Sequence, residues 1–214
     1  MKAKGALLLC SAIIFILAGG GLLLFSIKEA ANQSQQTEEA LETARRTLPI
    51  KEAALPSKER PAEKQIIPSF KTGDIIGILE IPALKAELPI IEGTNEEELE
   101  KGVGHYAGTV FPGQNDQILL SGHRDTVFRK IGELKMGDEL VVKMPYGDFT
   151  YEIIDSLIVD ADDTTVIKPT APEEILTLST CYPFYFVGSA PERYILTAKR
   201  VEAPHSDESL RLKN

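Results

Sequence analysis

Residues 175–181 read Ile-Leu-Thr-Leu-Ser-Thr-Cys, and residues 117–123 read Gln-Ile-Leu-Leu-Ser-Gly-His. Both are short runs of apolar and β-branched residues, and such runs between turn residues are typical of strands. Each run ends on a reactive side chain, Cys181 or His123. The two stretches therefore predict two strands that present a thiol and an imidazole at their ends.

Similar short runs lie on both sides of these two strands, at residues 75–81, 88–91, 139–144, 149–160 and 193–202. Turn residues such as Pro112-Gly113 and Gly137-Asp138 separate them. A capping-box pattern, Thr94 to Glu97, predicts a short helix that ends near Lys101. His105 then falls in a predicted loop. Many short strands at this spacing indicate a β-sandwich or a β-barrel.

The N-terminal stretch has a different character. Residues 5–27 contain no charged side chain, and this run is long enough to form a helix across a bilayer. A cleaved signal peptide is the alternative, but cleavage after Ala31 would place Glu29 where a small residue is needed. Lys2 and Lys4 predict a cytoplasmic N-terminus and an extracytoplasmic remainder, in a single-pass membrane protein.

The sequence thus divides into a cytoplasmic tip (1–4), a membrane segment (5–27), a stalk (28–72), a catalytic domain (73–203) and a polar tail (204–214). The stalk is polar, with weak helical spacing at Leu41, Ala44 and Leu48. Four prolines follow, which favour an extended spacer: Pro49, Pro56, Pro61 and Pro68. We therefore expect a tether between the membrane and the domain.

Net charge and cysteine content restrict the classes of partner and site that the protein can have. The net charge of −9 argues against nucleic acid as a partner, since phosphate binding needs a basic surface. One of the two cysteines, Cys10, lies in the membrane segment, so Cys181 has no partner for a disulfide in the exported part. A free exported thiol is unusual. It indicates either a reactive residue or a small, buried and inert one.

Arg193 opens a strand after a loop of about eleven residues that follows Cys181, so the two residues are expected to meet across adjacent antiparallel strands. A thiolate attacks carbonyl carbons, and a neighbouring imidazolium or guanidinium favours the thiolate. The imidazole can protonate a leaving amine, and a guanidinium is a permanently protonated donor for an oxyanion. Cys181, His123 and Arg193 together predict acyl transfer.

Metal binding is the alternative for these side chains. Zinc would draw on His105, His123, Cys181 and Asp125, but the Cys-x-x-Cys and His-x-x-x-His pairs typical of zinc sites are absent from the sequence. The acidic stretch 160–163 lacks the spacing of an EF-hand calcium loop. The sequence therefore predicts neither a metal nor a cofactor.

Three motifs resemble those of the sortases: Leu-Ser-Gly-His-Arg at 120–124, Thr-Leu-Ser-Thr-Cys at 177–181 and Arg-Tyr-Ile-Leu at 193–196. They occur in the family's order, and the resemblance covers residues 73–202. It implies a closed eight-stranded β-barrel in a Gram-positive cell envelope. It also implies cleavage of a Leu-Pro-x-Thr-Gly-like sorting signal after Thr, a thioester on Cys181 and transfer of the protein to an amine of a cell-wall precursor. Cys-Tyr-Pro-Phe at 181–184 and Ala-Pro-x-Arg-Tyr at 190–194 look most like class D, with class A open.

The resemblance implies a substrate groove between residues 160 and 175, where Val166, Ile167 and Pro172 would line an apolar pocket; a loop that only packs on the barrel is the alternative. Thr180 is expected to contact substrate because it lies beside Cys181, the alternative being a plain strand residue. His105 and Asp125 are expected to support the site. Two alternatives stay open. A thiol hydrolase would use the same site with water as acceptor, and a membrane-tethered binding module would carry an inert Cys181.

Overall fold

The computed structural model of the protein describes residues 2–47, 67–186 and 188–201. A long helix, α1, spans Lys2–Thr47. A short helix, α2, spans Glu96–Lys101, and two 3-10 turns cover Pro82–Leu84 and Ile131–Glu133. The eight strands are β1 Ile75–Ile81, β2 Ala86–Glu92, β3 Val103–His105, β4 Gln117–Ser121, β5 Glu139–Met144, β6 Gly147–Asp160, β7 Ile175–Tyr182 and β8 Glu192–Arg200.

The strands close into a barrel in the order β1-β2-β3-β4-β7-β8-β6-β5. Neighbours are antiparallel except for the pairs β2–β3 and β4–β7, which are parallel. Along each strand, successive side chains point alternately to the inside and the outside of the barrel. The inward ones form one apolar cluster, which includes Leu79, Val142, Tyr151, Leu176 and Leu196, none of them more than 1% exposed. The predicted closed eight-stranded barrel is confirmed.

Two local predictions need correction. His105 was expected in a loop, but Val103–His105 form β3, which joins β2 to β4. Three residues with a central glycine are too short to show a strand period, so neighbouring strands define this one. The cap of α2 also lies one residue later than expected: Asn95 is the N-cap. Its N–H donates to the carboxylate of Glu98 at 3.1 Å, the reciprocal half of a capping box.

Helix α1 extends twenty residues beyond the predicted membrane segment. From Ile13 onward it is long and apolar enough to cross a membrane, and its most apolar stretch has no buried residues. Its second half, however, lies against the barrel, where Ala40 and Ala44 are buried. The first part of the predicted stalk is therefore a docked helix. Residues 48–66 and the predicted tail from 204 lie outside the described residues.

A hydrogen-bonded carboxylate closes the barrel end at which β7 begins. Glu174 is buried, and it accepts hydrogen bonds from the Tyr151 hydroxyl at 2.7 Å and from Arg200 Nη1 at 2.9 Å. The backbone N–H groups of Gly113 and Asn115 donate to its other oxygen at 2.8 and 3.1 Å. Burial, more than the nearby carboxylate, holds the pKa of Tyr151 far above its usual range. This network ties the turn before β4 to β6 and β8.

Candidate active site

Strand register alone brings the three predicted residues into one row. Ser121 of β4 pairs with Ser179 of β7 in parallel. His123 and Cys181 each follow that pair by two residues, so they lie side by side beyond it. Cys181 also pairs directly with Arg193 of β8. The row therefore runs from His123 through Cys181 to Arg193, at the end of the barrel where β7 stops.

Cys181 lies on the outer face of the barrel. Leu178 and Thr180 are buried and face inward, so the intervening and following residues of β7 face outward. The thiol is half-buried and free. Residues directly opposite each other on antiparallel strands have Cβ atoms about 4.5–5.5 Å apart, so the Arg193 side chain starts beside that of Cys181.

These three side chains make few hydrogen bonds with the described part of the protein. The His123 ring is 24% exposed, and its nearest acidic neighbour is Glu96 of α2, with Nε2 and Oε1 3.5 Å apart. Arg193 Nη1 donates to the carbonyl oxygens of Glu192 at 3.0 Å and Ala190 at 3.4 Å. Within the part of the chain that the structure describes, the Cys181 thiol has no hydrogen-bond partner. The row is thus open to an added ligand.

Arg124 connects the His123 segment to the loop between β7 and β8. Its guanidinium donates to three backbone carbonyl oxygens, of Pro183 at 3.2 Å, Phe186 at 2.7 Å and Gly188 at 2.9 Å. It also lies 6.0 Å from the centre of the Phe186 ring. That loop starts after Cys181 and ends before Arg193, so a single side chain links the segments that carry all three residues of the row.

Thr180 has a different environment from the one expected. It is 3% exposed, and its hydroxyl donates to the carbonyl oxygen of Gly122 at 2.7 Å. It faces inward, away from the side of β7 that carries Cys181. This burial does not support a substrate contact. Thr180 instead fastens β7 to the residue that precedes His123.

Val166, Ile167 and Pro172 belong to the loop between β6 and β7. The Gln117 carboxamide holds this loop, with Nε2 donating to Val166 O at 2.8 Å and Oε1 accepting from Lys168 N at 2.9 Å. Gln117 pairs with the first residue of β7, so this anchor lies roughly 20 Å along the strand from Cys181. Val166 and Ile167 are half-buried and Pro172 is exposed. The structure does not bring these three residues next to the thiol.

Asp116 anchors the same loop from the start of β4. Its carboxylate accepts hydrogen bonds from the backbone N–H groups of Thr170 at 2.6 Å, Gln117 at 2.8 Å and Ala171 at 3.2 Å. These hydrogen bonds, that from Thr170 above all, hold the pKa of Asp116 below its usual range. Asp116 and Gln117 thus fix the course of the β6–β7 loop along the outside of the barrel.

Neither of the two predicted support residues forms a side-chain hydrogen bond or ion pair with the row in the described part of the chain. His105 is 1% exposed, with Nδ1 2.6 Å from Glu92 Oε2 and Nε2 3.1 Å from Val110 O. It points into the barrel, stacked on Phe111. Asp125 is exposed and borders a hollow between the barrel and α1. Among the described residues, no group of three or more His, Cys, Asp and Glu side chains could hold a metal ion.

Sequence reasoning missed Glu96, Gln117 and the role of Arg124. Glu96 approaches His123 from a helix more than twenty residues earlier, and no local pattern marks such a contact. Arg124 follows His123 directly in the sequence, which was a usable signal for a residue near the site. Its three acceptors are backbone carbonyls, however, and no sequence pattern identifies them.

Comparison with known proteins agrees with this geometry. A family model described as a sortase domain matches residues 79–201. Sortase D of Bacillus subtilis (strain 168) is 47% identical over 191 residues, which cover 88% of this chain and 96% of that protein. Sortase SrtE1 of Streptomyces coelicolor is 32% identical over 63% of this chain and 42% of its own length.

Solved structures show the same likeness. A Sortase D5 transpeptidase of Clostridium perfringens superimposes with a TM-score of 0.64 at 27% identity, covering 78% of this chain and 99% of that one. A sortase C of Clostridium perfringens superimposes with a TM-score of 0.58 at 32% identity, over 62% of this chain and 74% of its own. The likeness to the two sortases D agrees with the class suggested by the motifs. The chain belongs to the sortase family of cysteine transpeptidases.

Proposed function

We propose that this enzyme cleaves a Leu-Pro-x-Thr-Gly-like sorting signal after Thr and transfers the resulting acyl group to an amine of a cell-wall precursor. The observation that carries the proposal is the row of His123, Cys181 and Arg193 on the outer face of the barrel. An extended peptide can reach an outer face, whereas a thiol inside the barrel would be closed to it.

In the first half-reaction, the Cys181 thiolate attacks the carbonyl carbon of the signal's Thr. The negative charge that develops on the carbonyl oxygen is stabilised by the Arg193 guanidinium, which is always protonated. The C–N bond then breaks, and the His123 imidazolium gives its proton to the leaving amine. The product is a thioester between Cys181 and the protein to be anchored.

In the second half-reaction, the acceptor amine attacks the thioester carbonyl. His123, now neutral, takes the proton from the amine, and the Cys181 sulfur leaves as thiolate. An amide bond replaces the thioester, so both substrates are accounted for and the enzyme returns to its starting state. Neither half-reaction requires a metal or a cofactor.

We further propose that α1 anchors the enzyme in the cell membrane. Lys2 and Lys4 lie at its N-terminal end, which favours a cytoplasmic N-terminus and an extracytoplasmic barrel. The substrates would then be exported proteins whose sorting signals are exposed outside the membrane. Residues 5–27 contribute the contact with lipid.

The test is cleavage of a fluorogenic sorting-signal peptide by the full-length protein in detergent, with and without an added amine. Cys10→Ser serves as the matched control, since it removes the other thiol. We expect cleavage after Thr, an amine adduct among the products and loss of both in Cys181→Ala only. Cleavage without any adduct would favour the hydrolase, and an inactive protein with an unreactive Cys181 would overturn the proposal.

A further inference from the structure

The second half of α1 is part of the folded catalytic unit. Ala44 is fully buried against Ile78 of β1, and Leu41 and Ile75 pack at the edges of this contact. Ala40, one turn earlier, is 7% exposed. Small side chains on this face let the helix backbone approach the sheet closely. The helix is thus seated on the barrel.

Polar contacts also hold both ends of residues 37–45, the part of α1 that packs on the barrel and is called the seat below. The Thr37 hydroxyl lies 3.4 Å from the carbonyl oxygen of Glu100 in α2. Arg45 forms an ion pair with Glu87 of β2, with Nε 3.2 Å from Oε2. Thr37 and Arg45 are eight residues apart, so about 12 Å of helix is attached to the barrel.

The seated half continues without interruption into the apolar half. Helix α1 is a single helix through Thr47, and its sequence contains no proline. Between residues 13 and 27 its large apolar side chains are exposed. The exposed fraction is lowest for Ile13, at 48%, and highest for Phe15, at 77%. A membrane-spanning segment and a seated segment therefore share one rod, and their relative position is fixed by the helix itself.

The row of site residues lies beside the membrane-proximal part of that rod. A hollow of about 620 Å³ has Ala30, Ser34 and Leu41 on the helix side and Asp125 and Lys130 on the barrel side. Residues 30–41 lie about 5–20 Å beyond Ile27 along the helix. Because His123 precedes Asp125 by only two residues, its height above the apolar segment is about 30 Å at most.

A second set of contacts also places His123 close to the apolar part of α1. Thr37 touches the end of α2 at Glu100, and the start of α2 carries Glu96, whose carboxylate is 3.5 Å from the His123 ring. Since α2 has fewer than two turns, these contacts keep His123 within roughly 20 Å of Thr37. Thr37 itself lies about 15 Å beyond Ile27.

We propose that α1 is a rigid mount that holds the active site at a fixed height close to the bilayer, with the turn 125–130 beside the helix residues that follow the apolar segment. The inference rests on the membrane anchoring put forward under Proposed function. It differs from the extended tether expected from the sequence, in which residues 28–72 would span up to about 150 Å. The mount confines catalysis to sorting signals and acceptors presented near the membrane surface.

The height can be measured on the full-length chain in vesicles of phosphatidylcholine and phosphatidylglycerol. In Cys10→Ser, a donor fluorophore on Cys181 marks the site itself, and an acceptor dye on lipid headgroups marks the membrane surface. We expect efficient energy transfer that corresponds to a height of about 30 Å or less. A height of 60 Å or more would overturn the mount.

Two variants test whether the rod sets this height. Insertion of Gly-Ser-Gly-Ser after Asn32 breaks the rod but leaves the seat intact, and Ala44→Glu places a carboxylate against Ile78 in the seat. We expect both to lower the energy transfer, whereas Glu42→Ala, at an exposed position on the same helix, leaves it unchanged. Unchanged transfer in both test variants would contradict the mount.

The two proposals fail separately. Energy transfer does not depend on turnover, and cleavage of a soluble peptide in detergent does not depend on height. A distant site with full peptide cleavage would overturn the mount alone. A close site without cleavage of any sorting-signal peptide would overturn the proposed function alone.

Discussion

The two ends of the barrel use polar side chains in opposite ways. Where β7 begins, the Glu174 carboxylate accepts four hydrogen bonds and is 5% exposed. Where β7 ends, Cys181 is half-buried, and in the described part of the chain its thiol has no hydrogen-bond partner. Buried polar groups are normally paired, because leaving them unpaired costs about 1–3 kcal/mol.

This difference distinguishes side chains that stabilise the fold from side chains that can act on a substrate. A side chain whose hydrogen bonds are all made within the protein, such as Glu174 or His105, has nothing left to offer a substrate. A side chain at the surface with open donors or acceptors, such as His123, can exchange a proton or bind a ligand. The comparison predicts that variants at one end change stability and that variants at the other change turnover.

The largest effect is expected at the closed end. Glu174→Ala removes the acceptor of four donors and leaves Arg200 partly buried without its partner, which should cost about 3–5 kcal/mol of unfolding free energy. Chemical denaturation of the full-length protein in detergent measures it, and kcat of the folded fraction should change little. Glu173→Ala is the matched control, since its exposed pair with Lys199 is worth under about 1 kcal/mol. An equal loss of unfolding free energy in Glu174→Ala and Glu173→Ala would contradict the comparison.

At the open end, Arg193→Ala is expected to lower kcat by about 10²–10³-fold through loss of an oxyanion donor. The unfolding free energy should stay nearly constant, because the guanidinium donates only to the backbone of Glu192 and Ala190. Arg193→Lys keeps the charge but loses the planar fork, so it should recover part of the rate. A variant that unfolds while its folded fraction keeps full activity would reverse the assignment.

Arg124 tests a contact that lies between these extremes. Arg124→Ala frees the loop between Cys181 and Arg193, and we expect kcat/KM to fall about tenfold, the equivalent of one charge-assisted hydrogen bond. Added guanidinium ion should restore part of the activity if the three carbonyls still bind it. Arg129→Ala is the control, because Arg129 donates to Asp125 O within its own turn. Identical kinetics for both variants would remove Arg124 from the site.

The smallest effect concerns an exposed pair in the seat of α1. The hydrogen bond from Arg45 holds the pKa of Glu87 below its usual range, with Lys143 adding to the effect. A lowered carboxyl pKa stabilises the seated helix above the unfolded pKa of about 4.3, and this stability is lost as the pH falls through the folded value. The protection factors of the amides of residues 37–45, which are the ratios of the intrinsic exchange rate to the observed rate at each pH, should therefore fall slightly in acid, by a few tenths of a kcal/mol for an exposed pair.

Glu87→Gln provides the control for that titration. The variant should show the lowered, acid-state protection factors at every pH, because it lacks the carboxylate. Protection factors that rise in acid, or that follow pH equally in the variant, would show that the pair does not hold the helix.

Much of the barrel was predictable because its strands have a clear period and clear turns. The predicted strands 75–81 and 139–144 agree with β1 and β5 as observed, and the others differ by one or two residues at their ends. Strand β3 was not predictable, since three residues show no period. The packing of α1 on the barrel was not predicted, because the spacing of Leu41 and Ala44 gave only a weak helical signal and a face of small residues does not show that it is buried.

For the site, the row was predictable because each of its members stands at the end of an apolar run. Thr180 shows the limit of such reasoning. Neighbours in a strand point to opposite faces, so the residue next to Cys181 is the one that the fold turns inward. Contacts such as that of Glu96 with His123 arise only when distant segments meet, and no stretch of sequence encodes them alone.

The central claim is that Cys181 carries the acyl group during transfer. The most direct measurement is the intact mass of the full-length protein, quenched in acid after incubation with a sorting-signal peptide and no amine. The account predicts a mass increase equal to the peptide up to its Thr, located on the fragment that contains Cys181 and released by hydroxylamine. Continued cleavage with no adduct on Cys181, or an adduct on another residue, would contradict it.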